Sequence, residues 1–343
     1  MSGGVDSSVA AALLVEQGHE VAGVTLKLWG GPSDQGCCTV ADVEDARRVA
    51  AQLGIDHHVF NMTDSFDQLV VDPYVESHRT GLTPNPCIEC NRHLKFGMLL
   101  EATRRLGFDA LATGHHARIN TLGDRPQLRR GADSAKDQSY VLGMLTQAHL
   151  RDVLLPVGEL TKAEVREVAA RKGLRTAAKP ESQDTCFISA SGGRRQFLES
   201  RTTLGPGHLV DGASGETVGE VSEMELVTVG QRRRLGVDAH GARRVAVAVD
   251  MTKRQILVTS PERSLLRTVG LDPSSITWTG GPVDEGSRVS VQLRAHGEPA
   301  FARLEAGTLH LETPVAPVAP GQTAVLYDAA DLELVLGSGV VSR

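Results

Sequence analysis

The chain has 343 residues, more than one core of up to ~250 residues holds, so two or three domains are expected. Its hydrophobic fraction of 41% and charged fraction of 23% are those of a soluble globular protein, and no run nears the ~20 apolar residues of a membrane span. The net charge of −6 argues against nucleic acid as a global average, so any phosphate contact has to come from local basic runs.

The opening segment Ser2-Gly3-Gly4-Val5-Asp6-Ser7-Ser8 leads straight into the apolar helical stretch 9–15. Glycines that let backbone approach an anion, hydroxyl donors and a helix N-terminus together make a phosphate cradle. A capped surface helix is the competing reading of such residues. The ordered string is neither a Walker A loop nor a GxGxxG fingerprint; it resembles the PP-loop of ATP pyrophosphatases, which cleave ATP between its α and β phosphates. Such a loop ordinarily follows a buried strand, yet only Met1 precedes Ser2, so a true start several apolar residues upstream is expected. With no charged leader or cleavage site before the loop, a cytoplasmic location and reduced cysteines are expected.

Residues 20–29 read as a buried strand, 40–53 as a helix closed by Gly54, 57–60 as a short strand, and 65–79 and 93–106 as helices. A strand over 110–113 runs into Gly114-His115-His116, and helices are expected over 139–145 and 162–172. This alternation predicts an α/β domain with a doubly wound parallel sheet over 1–190. Ligands of such sheets lie beyond the carboxyl ends of the strands, where Leu26, Gly114 and the opening loop fall. His115 and His116 are read equally as a pair that steers a proton or a phosphate and as a packed pair at the sheet edge.

After residue 191 turn signals at Gly205-Pro206-Gly207, Asp211-Gly212 and Ser214-Gly215 separate short β-branched runs over 225–229, 245–249 and 255–259, a small β-rich module over 191–262. Strands over 288–294, 300–304, 308–312, 323–327 and 333–341 predict a C-terminal antiparallel β-barrel over 263–343. Arg232-Arg233-Arg234 in the middle module is the best candidate for a phosphate-contacting patch outside the first domain, against a solvated face as the alternative.

Two thiols, Cys87 and Cys90, follow the proline-stiffened Thr83-Pro84-Asn85-Pro86, and a helix N-terminus stabilises a thiolate. Cys186 lies far away in Glu181-Ser182-Gln183-Asp184-Thr185-Cys186. Three readings stand side by side: a thiol pair in sulfur chemistry, a four-thiolate zinc site with Cys37 and Cys38, or an iron-sulfur cluster on Cys87, Cys90 and Cys186. At the level of function, an adenylating enzyme for small molecules and a zinc-stabilised RNA-binding module compete with an RNA-modifying enzyme.

Seven motifs in order, namely SGGVDSS, TPNPCIECN, ATGHHAR, KDQSYVL, LPVGEL, ESQDTCFI and TVGQRRRLG, resemble those of the tRNA-specific 2-thiouridylase family over nearly the whole chain. The resemblance implies ATP-dependent formation of 2-thiouridine at wobble uridine 34 of lysine, glutamate and glutamine tRNAs, with sulfur relayed from a cysteine desulfurase or sulfur-relay protein. It implies ATP contacts at Met1, Ser2, Gly3, Gly4, Val5, Asp6, Ser7, Leu26 and Gly114, and a target-base pocket at Asn85, Pro86 and Cys87. Lys136, Asp137, Gln138, Arg294 and Ala295 are implied tRNA contacts. Cys186 is implied to carry the persulfide and Cys90 to be the nucleophile, ending in a Cys90–Cys186 disulfide. Mg²⁺ is expected with ATP, no protein-held metal is assigned, and no membrane is involved. Relatives often carry tyrosine after the arginine where Ala295 stands, so any stacking by that ring is lost.

Overall fold

Helix α1 (Val5–Glu16) begins directly after the opening glycines and ends where Gly18 turns the chain at φ +85, a conformation glycine adopts without strain. The computed structural model describes residues 1–28, 40–180, 187–188, 192–238 and 240–343. β1 (Ala22–Lys27), crossover helix α2 (Val40–Leu53) and β2 (Asp56–Asn61) form a β-α-β unit whose strands pair in parallel from Ala22 with Asp56 to Lys27 with Asn61. A second parallel pair joins β3 (Leu111–Ala112) to a later strand, after an antiparallel hairpin of β4 (Ala117–Leu122) and β5 (Arg125–Arg130); that later strand is β6 (Val153–Leu154). The hairpin is absent from the sequence-based reading. Met1 lies against β1: its ammonium donates to the Val24 carbonyl, and the Thr25 hydroxyl donates to the Met1 carbonyl at 2.5 Å.

Between β2 and β3 the chain is helical in two runs. The first comprises Thr63–Phe66, Asp67–Val71 and Asp72–Arg79, the second Pro86–Glu89, Cys90–Leu99 and Leu100–Arg105. The second starts seven residues before the expected position 93, because Asn85 caps it through Oδ1 to the Cys87 amide at 3.1 Å and Pro86 presets the first turn. Over 139–145 only Ser139–Leu142 is helical, as a 3₁₀ turn. Phe66, Tyr74, Ile88, Leu94 and Phe96 from the two runs share one buried core.

The middle segment holds β7 (Gly207–Asp211), β8 (Thr217–Val221), β9 (Val245–Asp250) and β10 (Gln255–Thr259) in the order β8-β7-β10-β9, with β7 and β10 parallel. The strand expected over 225–229 is instead a 3₁₀ turn, Met224–Leu226. Met224 and Glu225 are both buried, and the Glu225 carboxylate accepts from the Gly205 amide at 2.9 Å. Two consecutive inward side chains do not fit the alternation of a strand.

β11 (Leu266–Gly270), β12 (Thr277–Trp278), β13 (Arg288–Gln292), β14 (Ala300–Glu305), β15 (Thr308–Val315), β16 (Thr323–Asp328) and β17 (Val335–Val340) form a seven-stranded sheet, ordered β11-β15-β14-β13-β16-β17-β12. Past its end, β11 returns to the far side: Leu271 bridges Val341, and the Asp272 amide donates to the Val340 carbonyl at 2.8 Å. These bonds close the antiparallel sheet into a barrel around Val289, Val291, Leu309 and Leu326. The barrel is fastened to the α/β part: Tyr327, Val325 and Val335 belong to the same core as Leu94 and Leu142, and the Tyr140 hydroxyl donates to the Thr323 carbonyl at 2.6 Å. No helix among the described residues is long and apolar enough to cross a membrane.

Candidate active site

The opening loop is held by close backbone contacts that only glycine allows. Gly3 is in the left-handed region (φ +69), and a Cβ there would lie 2.4 Å from the Asp42 carbonyl oxygen. Gly114, just past β3, has so little space that a Cβ would fall 2.6 Å from the Asp6 carbonyl carbon and the Ser7 nitrogen. Gly4 is the N-cap of α1, and no side chain caps that terminus. The Ser8 and Ser7 hydroxyls bond back to the Gly4 carbonyl at 2.8 and 3.3 Å, and the Ser2 amide donates to Ser7 Oγ at 3.1 Å. Leu26 is buried near the carboxyl end of β1. The uncapped N-terminus of α1 thus lies beside a loop of small residues, an arrangement whose dipole favours negative charge.

Asp6, in the first turn of α1, does not face this site as a lone carboxylate. Lys162 Nζ donates to both its oxygens, at 2.7 and 2.8 Å, and His116 Nε2 lies 3.2 Å from Oδ1. Burial works to raise the Asp6 carboxyl; the hydrogen bonds from His116 and Lys162 overcome it and leave the group below the ordinary carboxylate value. Lys162 is anchored in turn by its own amide, which donates to Asp133 Oδ2 at 2.9 Å. The sequence-based reading passed over Lys162, and the signal it held was the Thr161–Glu164 capping box that fixes where this helix begins. His116 is buried, with its amide donating to Gln138 Oε1 at 2.9 Å, while His115 bonds Thr113 through Nδ1 at 2.7 Å. Burial, with Lys95 and His116 nearby, pushes His115 well below the usual imidazole range, so it is neutral at physiological pH.

Cys87 is exposed in the first turn of the Pro86–Glu89 helix, whereas Cys90 is buried one turn later. Pro86 is buried and Asn85 half-buried. Cys186, with Cys37 and Cys38, lies outside the described residues. Phe187, the next residue in sequence, packs edge-on against Phe66 and Tyr74 at 5.7 and 5.4 Å and shares its core with Cys90. Among the described residues no three His, Cys, Asp or Glu side chains are grouped to hold a metal ion.

Of residues 136–138, Asp137 reaches the seam between the α/β part and the barrel through Arg130, while Gln138 bonds back to His116. Lys136 and Gln138 are exposed, while Asp137 is locked: its carboxylate accepts from Arg130 Nη1 at 2.7 Å and from the Gly131 and Ser139 amides at 3.0 and 2.9 Å. Arg130 also lies 3.8 Å over the Tyr327 ring and donates to Gln292 Oε1 at 3.0 Å. Gln292 Nε2 donates to the carbonyls of Arg294 and Ala295 at 3.0 and 2.9 Å. Two segments more than 150 positions apart thus meet through one arginine and one glutamine.

The family model for the tRNA methyl transferase HUP domain matches residues 1–190, and that for the aminomethyltransferase beta-barrel domain matches 269–341. The tRNA-specific 2-thiouridylase MnmA of Chloroflexus aurantiacus is 45% identical over 100% of this chain and 97% of its own. The proteins of that name from Acidothermus cellulolyticus and Thermobifida fusca are 44% and 43% identical, again over 100% of this chain and 96% and 94% of theirs.

Proposed function

This chain belongs to the tRNA-specific 2-thiouridylase family, and from that premise we propose that it converts wobble uridine 34 of tRNA to 2-thiouridine at the expense of ATP. The observation that carries this reading is the uncapped α1 terminus, backed on one side by Gly114 and on the other by Gly3. It fits the phosphates of a nucleotide, with Met1, Ser2, Gly4, Val5, Asp6, Ser7 and Leu26 around it.

The uridine C2 oxygen attacks the α-phosphorus of ATP and pyrophosphate departs, which turns a poor leaving group into AMP. The terminal sulfur of a Cys186 persulfide then bonds to C2, and AMP leaves with the oxygen and the C2–O electron pair. The Cys90 thiolate attacks Cys186 Sγ and breaks the sulfur–sulfur bond, leaving sulfur on the base and a Cys90–Cys186 disulfide. External thiol reductant resets the pair, and a cysteine desulfurase or sulfur-relay protein reloads it. The burial of Phe187 in the core that holds Cys90 supports this pairing. Asn85, Pro86 and Cys87 are assigned to the target base, and Lys136, Asp137, Gln138, Arg294 and Ala295 to the surrounding tRNA. An anticodon loop yields an unstacked base for only a few kcal/mol.

Asp6 is committed to Lys162 and His116, and the described residues offer no carboxylate cage, so Mg²⁺ is assigned to the phosphates of ATP. Residues 1–190 are assigned to nucleotide binding and chemistry, 191–262 and 263–343 to tRNA, and lysine, glutamate and glutamine tRNAs in the cytoplasm are the assigned substrates. The test is mass spectrometry of tRNA nucleosides after incubation with ATP and a persulfide donor. Wild type is expected to yield 2-thiouridine and Cys186→Ser and Cys90→Ser none; unchanged 2-thiouridine in either variant removes that thiol from the reaction.

A further inference from the structure

Several arginines of this chain are spent on carboxylates: Arg118 and Arg129 on Glu333, Arg130 on Asp137, Arg288 on Glu312. Arg232, Arg233 and Arg234 are different. All three are exposed, and among the described residues none forms an ion pair. The nearest acid after them, Asp238, is turned to the amides of His240 and Ala242 at 2.9 Å each.

The backbone carries a second signal. Arg234 is in the left-handed region, φ 65, where a Cβ is crowded and glycine is the unstrained choice. Gln231 braces the turn, its Nε2 donating to the Arg233 carbonyl at 2.9 Å. An arginine placed in a conformation that suits glycine, unpaired and in water, contributes nothing to the fold through its charge.

The run also has a place relative to the site. Gly230, two residues before it, is packed so closely on the barrel that a Cβ would lie 2.8 Å from the Pro317 carbonyl oxygen and 2.9 Å from Arg294 Nη2. Arg294 donates to that same carbonyl at 2.5 Å. On the other side of the segment, Arg194 donates to the Leu226 carbonyl at 2.7 Å. The arginine run therefore continues the exposed surface of Arg294, which is tied through Gln292 and Arg130 to the 136–138 segment.

We propose that Arg232, Arg233 and Arg234 form a phosphate-binding strip on the middle module, continuous with Arg294, that takes the RNA backbone of the substrate away from the reacting base. The chemistry is that of a polyanion with regularly spaced monoanionic groups: three guanidiniums without internal carboxylate partners release counterions when they meet phosphates. Contacts to phosphates position RNA without reading sequence, so the strip contributes to affinity and not to sequence choice. This inference rests on the function proposed above.

The test is a salt titration of the Kd of the full chain for an unmodified transcript of a tRNA with uridine at position 34, comparing wild type with Arg232→Ala/Arg233→Ala/Arg234→Gly and with Arg234→Gly alone. The triple variant is expected to bind ~10-fold or more weakly near physiological salt, with the slope of log K against log salt reduced by roughly 2 to 3, at ~0.7–0.9 per lost contact. Arg234→Gly is expected to bind more weakly while unfolding at the same temperature as wild type or higher. If wild type binds and thiolates the transcript but the triple variant has the same Kd and slope, the strip serves some other partner, such as an acidic protein, and the inference is overturned. A lower unfolding temperature for Arg234→Gly with unchanged Kd overturns it too, by assigning Arg234 to the fold. Failure of wild type to bind or modify the transcript sinks the underlying function instead.

Discussion

Lys162 Nζ bonds both carboxylate oxygens of Asp6, at 2.7 and 2.8 Å, across 156 positions of sequence. It thereby fixes the first turn of the helix that presents the phosphate loop. The Lys162 side chain is 12% exposed and that of Asp6 32%, so the pair is partly withdrawn from solvent. Replacement of Lys162 by Met keeps the stem and removes the charge, leaving Asp6 with His116 alone. A charge-assisted hydrogen bond in such a setting is worth about 1.5–3 kcal/mol. Lys162→Met is expected to lose about that much unfolding free energy and to bind ATP at least several-fold more weakly, measured by denaturant titration and calorimetry. Full stability with full ATP affinity would remove the pair from the site's support.

The same carboxylate gives an acid dependence. Its folded value lies below the ordinary 3.8, so the unfolded chain takes up the proton first as pH falls. The stabilisation is complete above about pH 4 and is lost as pH drops through the folded value. Asp6→Asn is expected to lower stability at neutral pH and to flatten the stability curve below pH 4.

His78 acts in a different window. It is buried against Tyr74, with ring centres 4.4 Å apart and Nδ1 on the Tyr74 carbonyl at 3.0 Å, while Nε2 has no partner among the described residues. Burial, with Arg194 adding to it, pushes the imidazole down to about 4 from 6.5. Between those values the unfolded state is protonated and the folded state is not, so stability falls as pH drops from 6.5 to 4 and levels off below. At 1.36 kcal/mol per pH unit the loss is about 3 kcal/mol. His78→Asn, which keeps a donor for the carbonyl, is expected to abolish this slope in unfolding curves taken between pH 7 and 4; a slope that persists assigns it to another group.

The sequence carried the site better than its support. The glycine positions, the proline-framed cysteines and the alternation of the first domain depend on local chemistry and were legible. Lys162 on Asp6, and Arg130 between Asp137 and Gln292, join segments more than a hundred positions apart, and no periodicity or spacing announces such partners. The hairpin of β4 and β5 was missed because its residues alternate weakly: Arg125, Arg129 and Arg130 hold a strand whose buried members are Pro126 and Leu128. The helix opening at the two thiols was legible in the proline-stiffened Asn85-Pro86, although the apolar spacing that marks the helix itself begins only at 93. The 3₁₀ turn at 224–226 was not legible, since the partners that hold Glu225 inward, the Gly205 amide and the Arg254 guanidinium, lie in other segments.

Arg130 provides the prediction that separates the two halves of the site. It holds Asp137 at 2.7 Å and Gln292 at 3.0 Å, donates to the Leu332 carbonyl at 3.1 Å and covers the Tyr327 ring. Asp137 is only 7% exposed at its side chain, so Arg130→Ala leaves a buried carboxylate with its neutral donors, Ser139 and the Gly131 amide, and opens the seam to the barrel. Breaking a pair of this kind costs about 3 kcal/mol. The phosphate loop shares none of these contacts. Arg130→Ala is therefore expected to lower stability by about that amount and to weaken tRNA binding severalfold, while the Kd for ATP stays within a factor of about two, because the altered groups belong to the seam alone. Equal losses of tRNA and ATP affinity would mean that the seam and the phosphate loop move as one unit.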